Sequence, residues 1–368
     1  MSSPSLLPFV KAADSFPDYI SQPSAYPLQH PETGEVYVPF HLCPADYDAK
    51  LTPLGLLRPN VVQELRTFEA ESKMGAFSFV MDADEVRCVT FTEPVVAQGT
   101  ESMNQAVATA AWTWRQAGKF KNELDGEYKP EGQEAGDGAG VNVRPFLKFN
   151  YYSWTTEVDG VQLTTGWRDE LYAIYCDPSS SGFKPADKPW GNAAFACERA
   201  ACAIFGFATF GVHMTAYEWH GKEMKIWVPR RSPTKATWPS MLDNTVAGGI
   251  PFGLTPAETM VKECDEEASL PEEFVTKRLK YLYDLELPSP DSPEYVLPKP
   301  HDDEVESFEL MSVEQAKQCL ANGEFKPNCG LILVDFLVRH GLVTPENERN
   351  YIQLGWHMRR RIGVGVPS

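Results

Sequence analysis

Residues Gly248 to Leu270 read GGIPFGLTPAETMVKECDEEASL. The stretch opens on Gly248, Gly249 and Gly253, which allow a tight backbone turn with carbonyl and N–H groups left available. It then changes character. Met260, Val261, Cys264 and Ala268 recur at helical spacing and form one apolar stripe. The helix start is marked three ways: Thr255 can cap, Pro256 fits the first helical position, and Glu258 falls three residues after the cap. A helix over Thr255 to Ala268 follows.

That helix carries Glu263, Glu266 and Glu267 at i, i+3 and i+4, on one face. The Glu263/Glu267 pair places like charges one turn apart, at a cost of roughly 0.2–0.5 kcal/mol on an ordinary helix. Glu266 and Glu267 also sit in the last turn, where the helix dipole disfavours anions. Two penalties in one place suit a bound hard cation such as Mg²⁺ or Mn²⁺. A solvated acidic face fits the helix as well; the glycine turn before it is what favours a metal–phosphate site.

Working outward, the flanks alternate strands and helices. Val61 to Met74 and Glu101 to Ala117 have helical patterns, and Ala76 to Met81 pairs with Glu85 to Thr92 through an acidic turn. Ala193 to Ala203 has a helical composition. Phe205 to Trp219 and Met224 to Arg230 read as strands, as do Gly166 to Tyr175, Tyr281 to Leu287 and Glu304 to Leu310. Val313 to Asn322 reads as a helix and Leu331 to Arg339 as a buried one. The order predicts a mixed α/β (α+β) fold with a sandwich of sheet and helices. Residues 1–55 read as an extended lead-in and 56–180 as a smaller α+β domain with a mobile, Gly-rich acidic insertion near 122–160. The Pro/Ser/Gly segment 177–189 reads as a boundary, and 190–368 as the domain with the carboxylate helix.

The 368 residues suffice for two cores. A formal net charge of -18 argues against a nucleic-acid or anionic-membrane binder, both of which need a basic footprint. The eight cysteines form no CxxC pair, which fits reduced thiols in a cytoplasmic protein. No basic, apolar leader or membrane-length apolar run is present.

Gly248 to Leu270 resembles the Nudix box. Gly248 matches its first glycine, Glu263 the glutamate of Arg-Glu, Glu266 and Glu267 the Glu-Glu pair, and Leu270 the last aliphatic position. Leu254, Lys262 and Ser269 stand where the box has Glu, Arg and Gly. Lys262 keeps the charge of Arg but not its fork geometry. The flanks resemble a fungal and plant branch with an extra N-terminal domain, related to the Nudix half of thiamine pyrophosphokinase fusions. The matching stretches include Gly206 to Thr215, Ile226 to Pro251, Tyr283 to Pro288 and Glu324 to Gly341. Relatives carry a longer segment between the box and Tyr283 than the Glu272 to Leu282 found here.

The resemblance implies a Nudix α/β/α sandwich and Mg²⁺- or Mn²⁺-dependent cleavage of a small-molecule diphosphate, of thiamine type or an oxidised form, to the monophosphate. It implies Glu263, Glu266 and Glu267 as metal ligands with the Gly248 carbonyl nearby, and Gly249 beside the substrate. A general base is required; Glu263, Glu267, Glu304 and Glu306 are the candidates, Glu304 and Glu306 being expected on one side of a strand. Arg230, Arg231 and Lys235 form a cationic cluster suited to phosphate. The same cluster fits surface charge at a strand end. Trp167, Trp227, Trp238 and His213 fit a core role, and Arg359 to Arg361 a solvated tail. Two alternatives stand beside this reading: hydrolysis of an oxidised nucleoside diphosphate, and a Nudix-fold binding module that has lost catalysis.

Overall fold

Two larger sheets and a two-stranded one divide the described residues, because separate sets of apolar residues need separate cores. In a computed structural model, residues 4–14, 34–125, 166–183, 191–235, 237–278, 283–301, 303–359 and 363–367 are described. The insertion expected near 122–160 lies mostly outside them, as does the end of the 177–189 segment.

After α1 (Leu7–Ala13) come β1 (Val38–His41), α2 (Pro44–Asp48), β2 (Gly55–Leu57), α3 (Pro59–Ser72), β3 (Phe77–Asp82) and β4 (Glu85–Phe91). The four strands form a sheet in the order β2-β1-β4-β3, with β1 and β4 parallel. Helices α4 (Glu93–Gln98), α5 (Thr100–Gln116) and α6 (Lys121–Asp125) follow, then β5 (Leu171–Tyr175), β6 (Ala193–Glu198) and α7 (Arg199–Cys202). Phe40, Leu57, Val89, Trp114, Phe195 and Phe205 share one buried core.

Three expectations change here. The lead-in is structured in part: α1 packs against helices near the C-terminal end of the chain, and β1 is an interior strand of the sheet. Four residues are too short to show a period, so β1 was invisible to patterning. Ala193 to Ala203 is not one helix but β6 followed by the single turn of α7. Every residue of β6 is buried, which erases alternation, and pairing with β5 overrides the helix preference of its alanines. The first core also continues through Ala194 to Phe207, past the expected boundary.

The chain crosses to the second sheet at Gly206, whose φ of +64 and lack of a side chain let it pass β2. A Cβ there would lie 2.1 Å from the Leu56 carbonyl oxygen.

The second sheet comprises β7 (Gly211–His220), β8 (Glu223–Arg231), β9 (Val246–Gly249), β10 (Asp284–Glu286) and β11 (Val305–Ser312), in the order β10-β7-β8-β11 with β9 also on β7. Val212, Met214 and Ala216 of β7 point to one face, where α8 (Pro256–Ala268) and α9 (Glu272–Arg278) cover them. Tyr217, Met224, Ile226 and Val228 point to the other, under α1, α10 (Val313–Ala321), α11 (Pro327–Arg339) and α12 (Tyr351–Met358). Helices on both faces of a mixed sheet make an α/β/α sandwich. No helix among the described residues is long and apolar enough to cross a membrane.

Candidate active site

Helix α8 is fixed at both ends and along its buried side. The Thr255 hydroxyl accepts from the Glu258 N–H at 3.1 Å, and the Glu258 carboxylate accepts from the Thr255 N–H at 2.8 Å, the reciprocal cap expected from sequence. Met260, Cys264 and Ala268 are fully buried against β7 and β9. Ser269, at the box's glycine position, ends the helix in the left-handed region at φ 51.

With the stripe buried, the glutamates are carried to the edge of β9. The Glu263 carboxyl lies in the space that Gly248 leaves: a Cβ on Gly248 would fall 2.1 Å from Glu263 Cδ. Glu267 Oε2 accepts from the Ala247 N–H of β9 at 2.9 Å. Burial pushes Glu267 up to about 8; the Ala247 N–H opposes the shift, and the charges of Asp243, Glu263 and Glu304 add to it. Burial also raises Glu263, against the pull of Lys262. Glu266 turns outward and is half exposed, with Lys262 Nζ at 2.6 Å from it and 3.5 Å from Glu263.

Among the described residues, no group of three or more His, Cys, Asp or Glu side chains stands close enough to hold a metal ion. The donor set nonetheless fits a hard divalent cation. It is all oxygen, Gly248 leaves room for one carboxylate, burial and neighbouring carboxylates raise both Glu263 and Glu267, and the Lys262 ammonium stands where positive charge is wanted.

The remaining expected residues separate. Glu304 is joined to Lys235 by an ion pair, and its charge reaches Glu267. Burial would raise Glu304, but Lys235, Arg231 and Arg168 together hold it below the ordinary carboxylate range. Glu306 does not follow it to the same side. The β8–β11 register shifts between Val305 and Ser307, so Glu306 is the extra residue of a bulge and points to solvent. The period-2 argument fails there for that reason.

Arg231 faces the site, yet its guanidinium is committed to the protein: Nε to the Trp238 carbonyl at 3.0 Å, Nη2 to the Thr237 carbonyl at 2.9 Å, Nη1 to Asp243 at 2.7 Å. Arg230 is on the other face of β8, where it donates to the Ser240 carbonyl and its charge reaches the Cys319 thiol of α10. Gly249 is pressed by the Tyr172 hydroxyl, which would lie 1.8 Å from a Cβ there. His213 is a core histidine, with Asn244 at 3.0 Å and a pKa lowered to about 4, chiefly by burial. Trp227 donates to the buried Glu218, and Trp238 is buried.

Four residues that patterning did not single out belong to the same neighbourhood. Asp243 and Lys326 lie beneath the glutamates, with Lys326 Nζ 3.8 Å from Asp243. Tyr172 of β5 rests on Gly249, and Arg199 of α7 lies against the Tyr172 ring. No local signal marks these residues, because each is distant in sequence from the box.

No protein-family model matches the sequence. The chain is 37% identical over 218 residues to Nudix hydrolase 20 and 33% identical over 216 residues to Nudix hydrolase 24, both chloroplastic proteins of Arabidopsis thaliana. It is 39% identical over 232 residues to the uncharacterized protein YJR142W of Saccharomyces cerevisiae. Each match takes in about half of this chain: 53%, 53% and 54%. The chain spans 53%, 54% and 62% of those relatives, respectively. Among solved structures, DR0079 of Deinococcus radiodurans is 19% identical with a TM-score of 0.28, covering 34% of this chain and 81% of its own. A C. elegans Ap4A hydrolase is 14% identical with a TM-score of 0.26, covering 36% and 98%. Scores at that level carry no argument. The two Arabidopsis matches support the Nudix hydrolase family for this chain.

Proposed function

We propose that this chain is a divalent-metal-dependent Nudix hydrolase that cleaves a small organic diphosphate, of thiamine type or an oxidised form of it, to the monophosphate. The observation that carries the proposal is the placement of Glu263 and Glu267, two partly buried carboxylates held by α8 against the glycine strand β9. The matches to Nudix hydrolases 20 and 24 support the reaction class. The thiamine-type substrate rests on the resemblance of the flanking stretches alone.

Glu263 and Glu267, with Glu266 swung from Lys262 and the Gly248 carbonyl, would hold Mg²⁺ or Mn²⁺. Bound there, the ion supplies charge neutralisation on the phosphate oxygens and lowers the pKa of water. The residues divide the rest. Glu304, kept ionised by Lys235, suits electrostatic positioning better than proton exchange. Glu263 and Glu267, both raised, are the better placed to take a proton near neutral pH. Asp243 and Arg231 act from behind, fixing the turn that carries Thr237 and Trp238.

A second reading has its own observation. Glu266 is engaged by Lys262, and Leu254 replaces the box's first glutamate, as in a binding module that has lost turnover. One assay separates the readings: purified protein with Mg²⁺ or Mn²⁺ and a panel of oxothiamine, thiamine and oxidised guanosine diphosphates, with and without chelator. Metal-dependent release of a monophosphate supports hydrolysis, and the preferred base identifies the substrate class. Diphosphate binding with no turnover, unaltered by Glu266→Gln, supports the module instead.

All eight cysteines are free thiols, which fits the proposed reducing, cytoplasmic setting. The chloroplastic Arabidopsis relatives make a plastid-type compartment the competing location.

A further inference from the structure

Lys262 is engaged by Glu266 and Glu263, and the other cations around the glutamates are engaged too. Arg231 donates from Nε, Nη1 and Nη2 to three acceptors within its own turn, Lys235 is paired with Glu304, and Lys326 is buried beside Asp243. A diphosphate brought to this site therefore needs positive charge from elsewhere.

The first sheet's side provides it. Strand β5 is tied to the loop that leads into α8: the Phe252 N–H donates to the Leu171 carbonyl at 2.6 Å, and Tyr172 bridges Pro251. Tyr172 rests on Gly249, next to the glycine that accommodates Glu263. Arg199, first residue of α7, lies with its guanidinium 5.5 Å from the Tyr172 ring centroid. Its Nη1 donates to Glu170 at 2.8 Å, and its N–H to the Glu170 carbonyl at 2.9 Å. Among the described residues no acceptor is recorded for its Nε or Nη2, and about a third of the side chain remains exposed. Its charge reaches Glu304.

We propose that Arg199 is a substrate-binding residue contributed by the N-terminal part of the chain: its guanidinium, held over the Tyr172 ring by Glu170, closes on the diphosphate that occupies the Glu263/Glu267 site. The inference rests on the proposed diphosphatase reading. Arginine suits the task because its planar fork meets two phosphate oxygens at once while stacking on an aromatic face. Tyr172 is a positioning residue, fixing the height of the guanidinium above β9. The arrangement also gives the N-terminal unit a role at the site and makes specificity a joint product of both sheets.

The test is binding of methylenediphosphonate, which is not hydrolysed, by the full chain in Mg²⁺, followed calorimetrically. Arg199→Gln should raise the dissociation constant about 10- to 100-fold, the scale of one charge-assisted hydrogen-bonded contact. Arg199→Met, which keeps the apolar stem over Tyr172, should do the same, and Arg199→Lys should restore part of the affinity. Arg359→Gln, an equal change of charge on an exposed arginine beside Asp335, should bind as the wild type does. Wild-type affinity in the Gln or Met variant overturns the inference, and with turnover intact it leaves the diphosphatase reading standing. A wild-type chain that neither binds the diphosphonate nor hydrolyses any diphosphate overturns both.

Discussion

Replacing Gly248 and Gly249 one at a time by alanine asks whether the glycine strand serves the carboxylates or the fold. Neither glycine has a left-handed backbone, so an alanine fits the main chain at both and only the new Cβ matters. At Gly248 its three nearest atoms all belong to Glu263: Cδ at 2.1 Å, Cγ at 2.4 Å, Oε1 at 2.5 Å. Those atoms end a flexible side chain, and an off-rotamer adjustment costs about 0.5–1.5 kcal/mol. Moving the carboxylate outward also relieves its burial. At Gly249 the Cβ meets Tyr172 Oη at 1.8 Å and Cζ at 2.7 Å. That ring is 5% exposed and cannot retreat, so overpacking of about 1–3 kcal/mol applies. For a domain of 150–250 residues, each kcal/mol corresponds to about 2–4 °C in the unfolding midpoint. Gly248→Ala should therefore melt within a few degrees of wild type while Mn²⁺ affinity, read by titration, falls at least the roughly 10- to 100-fold that disturbing an outer support of a metal ligand costs. Gly249→Ala should show the larger loss of midpoint. If Gly248→Ala keeps wild-type Mn²⁺ affinity and turnover, Glu263 is not a ligand held by that glycine and the assignment of the site is wrong.

Four other outcomes are expected. Glu267, raised to about 8, must lose its proton to bind a cation, so Mn²⁺ affinity should fall about tenfold per pH unit below 8 and Glu267→Gln should flatten that slope. The same shift makes the metal-free protein lose stability as pH climbs from the ordinary glutamate range towards 8, because the folded state holds a proton the unfolded chain has released; a thermal scan in chelator reads this, and a rise would contradict it. Arg231→Met leaves Asp243 without its closest partner and should cost about 3–5 kcal/mol in denaturant unfolding, with no selective rise in the KM of the folded fraction. Ser269→Gly removes a left-handed non-glycine residue at the cost of one exposed contact with His301, and should gain about 1 kcal/mol in denaturant unfolding.

The sequence by itself determined what depends on neighbours a few residues away. The cap at Thr255, the proline start, the apolar stripe through Met260, Cys264 and Ala268, and the sharing of one face by three glutamates are local consequences of a 3.6-residue period. The long strands β7 and β8 and the helices α3, α5, α10 and α11 were legible for the same reason. What only the tertiary structure decided is which of those residues meet. Full burial removed the alternation of β6, and a single extra residue in β11 separated Glu306 from Glu304. Hydrogen-bond partners in the segment that follows β8 committed Arg231 to the fold, and strand direction put Arg230 on the opposite face. The contact of Tyr172 with Gly249, and of Arg199 with Tyr172, joins segments with no common period. Periodicity assigns a side chain to a face; packing decides what that face touches, and the site's charges are set by those contacts.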